Sequence, residues 1–90
     1  MKKAIVTVVG KDTVGIIHAV TGTLADNNVN VLDISQTILD GMFTMMMVVD
    51  VSHSKSDVTE LSDILNKTGE RIGVEIRIQL VDIFEAMHRI

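Results

Sequence analysis

At 90 residues the chain has room for one domain around a single modest core, which excludes a second domain. A formal charge of −4 and two aromatic residues, both Phe, are the wrong sign and composition for nucleic acid or an anionic membrane, leaving small molecules and proteins as partners. The absence of cysteine removes disulfides, thiolate catalysis and cysteine metal sites, and fits a reducing cytoplasm.

Met1-Lys2-Lys3 ahead of Ala4–Val9 mimics the start of a secretory signal. The apolar run meets Gly10-Lys11-Asp12 too early, however, and no small-residue cleavage site follows, so no targeting segment is expected. No apolar run approaches the ~20 residues of a membrane helix. The expected location is cytoplasmic.

Residues 4–9 are β-rich and nearly continuous in apolar character, which predicts a central first strand. From Val14 to Asn27, Ile16, Ile17, Val20 and Leu24 recur at helical spacing, with Asp12 or Thr13 available to cap the start and Asn27-Asn28 to end the helix. Val29–Leu39 alternates as a strand, with Leu32, Ile34 and Ile38 on one side and Asp33, Ser35 and Thr37 on the other. Asp40-Gly41 supplies a tight hairpin turn into residues 42–51. There Phe43, Met45, Met47, Val49 and Val51 share one face. Asp57 and Glu60 have capping-box spacing before a second helix carrying Val58, Leu61, Leu65, Thr68 and Ile72, which Gly73 ends. Val74, Ile76, Ile78 and Leu80 alternate in a last strand.

The order β-α-β-β-α-β predicts an α+β, ferredoxin-like sandwich: a four-stranded antiparallel sheet with two helices on one face. Residues 1–80 form the domain. The opposite sheet face, holding Thr7, Ser35, Met46, Val48 and Arg77, is too apolar for water, so a second copy or the tail should cover it. In that tail, residues 81–90, Asp82 and Glu85 again have capping spacing, and Ile83, Phe84, Met87 and Ile90 share a helical face. A short C-terminal helix packed on the domain or on a dimer partner is expected.

The turn Gly10-Lys11-Asp12-Thr13-Val14-Gly15-Ile16-Ile17 hands a strand to a helix. The first N–H groups of a helix lack intrahelical partners and carry partial positive charge, so a carboxylate or phosphate is welcome there. Together with Val29, Asn30 and Val31, the residues Asp12, Gly15, Ile16 and Ile17 match the signature of the ACT domain, which this chain resembles from residue 4 to 80. The tail is similar to those of small stand-alone ACT-domain proteins of unassigned function. The chain departs from the usual pattern at Thr13 and Val14, where a basic residue and a proline are common, and at Asn28, where glycine is common.

The resemblance implies an amino acid bound at a dimer interface by Lys11, Asp12, Thr13, Val14, Gly15 and Ile16, with Asn28 and Asn30 supplied by the partner. Backbone N–H groups from Val14 to Ile16 would take the carboxylate, and Asp12 or an Asn carbonyl the ammonium, with Lys11 adding charge. The plainer reading is that Asp12 and Thr13 only cap the helix and that Gly15 only lets it approach the sheet.

Other constellations carry less. Met45-Met46-Met47 alternates along a strand and reads as core filling rather than a soft-metal site. His18, His53 and His88 lack metal-ligand spacing, so no metal and no cofactor is expected, and His18 reads as an exposed helical residue. The serines around His53 have no nucleophile elbow, phosphate-cradling glycine motifs are missing, and the first loop lacks the arginine an acyl-phosphate hydrolase would need. No enzyme is expected. The expected function is that of a homodimeric, non-catalytic module that senses an amino acid and acts through a partner protein; the alternative is a structural interaction module with no metabolite.

Overall fold

The computed structural model describes residues 1–81. The elements are β1 (Lys3–Lys11), α1 (Ile16–Asp26), β2 (Asn30–Leu39), β3 (Met42–Asp50), α2 (Val58–Ile72) and β4 (Val74–Leu80). The strands form one antiparallel sheet ordered β2-β3-β1-β4, the ferredoxin-like arrangement expected of this element order. The expected helix over 82–90 lies outside the described residues.

Alternation along the central strands creates the layering. Ala4, Val6 and Val8 of β1 are fully buried, as are Met45, Met47 and Val49 of β3, while Thr7 between them is half-buried and Met46 is 45% exposed. Residues paired across strands share a face, so Val8 with Met45 and Ile76 belongs to the helix side. Val20 and Leu24 of α1 and Leu61 and Leu65 of α2 complete that core. Each fully buried aliphatic side chain contributes about 1.5–3 kcal/mol of transfer free energy. On the opposite face Ser35, Met46, Thr7 and Arg77 lie in one cross-strand row, beside Val48. These are the outer-face residues the alternation predicts.

The hairpin is as expected: Asp40 (φ 52°) and Gly41 (φ 78°) both adopt left-handed conformations, as a two-residue turn between twisted strands requires. Asn27 ends α1 and Asn28 takes φ 61°. At α2, the Asp57 carboxylate accepts the Glu60 N–H at 2.8 Å, and the Gly73 N–H donates to the Gly69 carbonyl.

Four local expectations are corrected. β1 runs on through Gly10 and Lys11, which pair with Phe43 and Met42; a Cβ at Gly10 would lie 2.7 Å from Val74 Cγ1, so this glycine serves strand contact rather than the turn. α1 begins at Ile16 with Gly15 as N-cap, so neither Asp12 nor Thr13 caps it: both precede the cap, and the first turn has no side-chain cap. Gly15 does not let the helix approach the sheet either, since nothing lies within 4 Å of a Cβ there; its φ of 92° is the reason for glycine. In β2 a bulge between Val31 and Asp33 breaks the expected alternation: Leu32 has no cross-strand partner, and Val31, opposite Val49, shares the face of Ile34 and Ile38.

Candidate functional site

The late start of α1 opens a cavity of about 350 Å³ between its first turn and the end of the β2-β3 hairpin. Asp12, Thr13, Gly15, Ile16, Ile17 and His18 line it from the β1-α1 side; Gln36, Ile38 and Phe43 line it from the sheet. Two backbone facts position these groups. The Asp12 N–H donates to the Gly41 carbonyl at 2.9 Å, tying the end of β1 to the hairpin turn. Left-handed Gly15 then turns the chain into α1, whose first hydrogen bond runs from the Ala19 N–H to the Gly15 carbonyl.

The N–H groups of Ile16, Ile17 and His18 precede that bond and have no helical partner. No side chain caps them, and no acidic residue lies in the first turn. The contrast with α2 is chemical: there a carboxylate neutralises the helix terminus, whereas here the partial positive charge faces a cavity with apolar walls at Ile17, Ile38 and Phe43. Such a pocket suits a small ligand with an anionic end and an apolar body. Asp12, exposed at the rim, supplies the one carboxylate among the lining residues.

The expected site residues are thus partly brought together. Asp12, Thr13, Gly15 and Ile16 share the cavity. Lys11 ends β1 and is exposed, and Val14 is 105% exposed; neither lines the cavity. Asn28 and Asn30 lie at the other end of α1, around a depression of about 240 Å³ with Ala25 and Val29. There the Asn28 amide donates to the His53 carbonyl at 2.9 Å.

Gln36, Ile38 and Phe43 were not singled out by the sequence, although a signal for them existed. A two-residue turn at Asp40-Gly41 fixes Leu39 opposite Met42, and hence Ile38 opposite Phe43 and Gln36 opposite Met45. His18 is exposed, as expected, but also lines the cavity. Away from the cavity, hydrogen bonds from the Ser52 side chain and N–H lower the pKa of Asp50, at the far end of β3, from the usual carboxylate value. Among the described residues, no cluster of three His, Cys, Asp or Glu could hold a metal ion, and no helix is long and apolar enough to cross a membrane.

The ACT domain family model matches residues 2–79. A UPF0237 protein of Clostridium perfringens is 53% identical over 97% of this chain and 98% of its own length. An ACT domain protein from Streptococcus pneumoniae superimposes with a TM-score of 0.83 at 49% identity, covering 93% of this chain and 94% of that one. The regulatory subunit of aspartate kinase from Thermus thermophilus shares the fold, with a TM-score of 0.66 at 24% identity over 87% of this chain and 50% of that one. The chain belongs to the ACT-domain family, a class made up in general of regulatory amino-acid-binding modules.

Proposed function

We propose that this protein is a non-catalytic, homodimeric sensor of an amino acid, with its site at the first turn of α1, and that it passes occupancy to a partner protein. The observation that carries the reading is the uncapped α1 terminus opening into the cavity shared with β2 and the hairpin. A ligand carboxylate on the Ile16–His18 N–H groups would supply the missing cap, and Asp12 would face the ammonium. The aspartate kinase neighbour, described as a regulatory subunit, supports a regulatory reading.

Dimerisation would complete the site. β2 is an edge strand in which every residue but Val31 is exposed. If two copies pair their β2 edges antiparallel about a two-fold axis, Asn30 of each meets the Leu39 end of the other. That pairing carries the distant asparagines to the opposite copy's cavity. Occupancy then alters a dimer seam, and a regulated protein that distinguishes the two forms reads it out.

A thermal-shift screen over the common amino acids tests the proposal. A ligand at ~100 times its Kd adds about 2.7 kcal/mol, and the Asp12→Ala, Asn30→Ala double variant should abolish the response. A flat screen would instead favour the reading as a docking module without a metabolite. A response that survives the double variant would remove the site assignment.

A further inference from the structure

We propose that the β4 edge of the sheet pairs antiparallel with the β4 edge of a second copy, in the register that sets Glu75 of each chain opposite Arg77 of the other. This inference stands independently of the ligand site, and β2 lies at the far edge of the sheet, so the two contacts do not compete. Among the described residues β4 has one strand neighbour, β1. The direction of its remaining hydrogen-bonding groups follows from the hairpin. A two-residue turn makes Leu39 and Met42 a hydrogen-bonded pair, and bonded and non-bonded pairs alternate along every antiparallel ladder. Carried through the unbroken registers of β3 and β1, that alternation turns the backbone groups of Glu75, Arg77 and Gln79 towards β1. The N–H and C=O groups of Val74, Ile76 and Ile78 therefore face outwards. Along this edge lies a depression of about 390 Å³, lined by Ile76 and Ile78 from the helix face of β4, Glu75 and Arg77 from the outer face, and Ser62 and Asn66 of α2.

The sequence of the strand selects the occupant. Val74-Glu75-Ile76-Arg77-Ile78 is its own complement when inverted about Ile76. A two-fold axis there, perpendicular to the sheet, sets Ile76 opposite Ile76 and Val74 opposite Ile78, with their outward backbone groups bonded, and brings Glu75 against Arg77 twice. These charged pairs occupy the non-hydrogen-bonded positions, where side chains come closer. Within one chain Glu75 and Arg77 already form an exposed ion pair at 2.6 Å. Across the seam the four groups alternate in sign around a rectangle, so each charge has two opposite neighbours, a network rather than an isolated pair. Sliding the register by two residues opposes two glutamates or two arginines, and a slip of one sets the charges against the isoleucine face. Charges that shield an edge from most neighbours here admit an inverted copy of themselves. The contact is one short strand, so it belongs to the weak class of interfaces and forms above the micromolar range.

Sedimentation of the full chain tests the pairing, in an Ile34→Lys background that removes the β2 contact and from micromolar to near-millimolar concentration. This parent should be a monomer at the low end and a dimer at the high end. Glu75→Arg alone and Arg77→Glu alone should each weaken the association about tenfold or more, because each sets like charges opposite one another at both symmetric positions. An equimolar mixture of these two variants should form a heterodimer at the parent's strength. The double exchange, Glu75→Arg with Arg77→Glu, should restore the homodimer at unchanged net charge. Circular dichroism should be the same for all of them, since both side chains are exposed. A parent that stays monomeric near millimolar, single variants that associate as the parent does, or a double exchange that fails to recover association each overturns the proposal.

Discussion

Gly15 decides the site at the scale of single residues. At φ 92° it holds a conformation that costs a side-chain-bearing residue about 1–2 kcal/mol, yet it touches nothing that a methyl group would displace. Gly15→Ala should therefore destabilise the protein by about that amount in urea unfolding, with no loss of packing. It should also weaken any ligand held by the α1 terminus, because relaxing Gly15 reorients the N–H groups that follow. Gly10 illustrates the opposite reason for glycine: its Cβ would meet Val74, so space rather than dihedral angle requires it. Both glycines are plain in the sequence. Which reason applies to each is not, since one depends on the local turn and the other on a strand more than sixty positions away.

The two helices make the same point at the scale of elements. α2 is locally specified: Asp57 caps it, Gly73 closes it, and its buried residues fall where the helical stripe predicts. α1 has a good stripe in Ile16, Val20 and Leu24 but leaves its start to Gly15. Asp57→Ala should cost about 1 kcal/mol, the usual worth of a side-chain cap. Asp12→Ala should stay within about 0.5 kcal/mol in the absence of ligand, as for an exposed side chain without a structural partner. Equal losses in the two variants would mean that Asp12 caps α1 in solution and that the terminus is not free for a ligand. β2 follows the hairpin register from Asp40-Gly41 as far as Asp33, and there the bulge leaves Leu32 unpaired and shifts the alternation. Simple alternation cannot show that, because a bulge is written in the partner strand's hydrogen bonding rather than in side-chain polarity.

Among the described residues the sheet leaves three unsatisfied surfaces at the scale of the whole molecule, its edges at β2 and β4 and an apolar outer face, and the proposed dimer uses the β2 edge. Ile34 lies near the middle of β2 and is 44% exposed, so Ile34→Lys should leave the fold intact by circular dichroism. In a two-fold β2 pairing the two lysines would lie as diagonal neighbours beside the axis and repel each other. Sedimentation should then show a dimer for the native chain and a monomer for the variant; a native monomer at micromolar concentration would end the dimer reading. By itself, the sequence determined the element order, the buried stripes, the hairpin register, the ferredoxin-like sheet and the resemblance to the ACT domain, because periodicity and turn chemistry are local and the permitted crossovers are few. Only the tertiary structure decided that Asp12 and Thr13 leave α1 uncapped, that Gln36, Ile38 and Phe43 close the cavity beside them, and that Asn28 and Asn30 stand at the opposite end of the helix. Those relations join residues far apart in the chain, and their distances follow from how a helix is laid across a sheet.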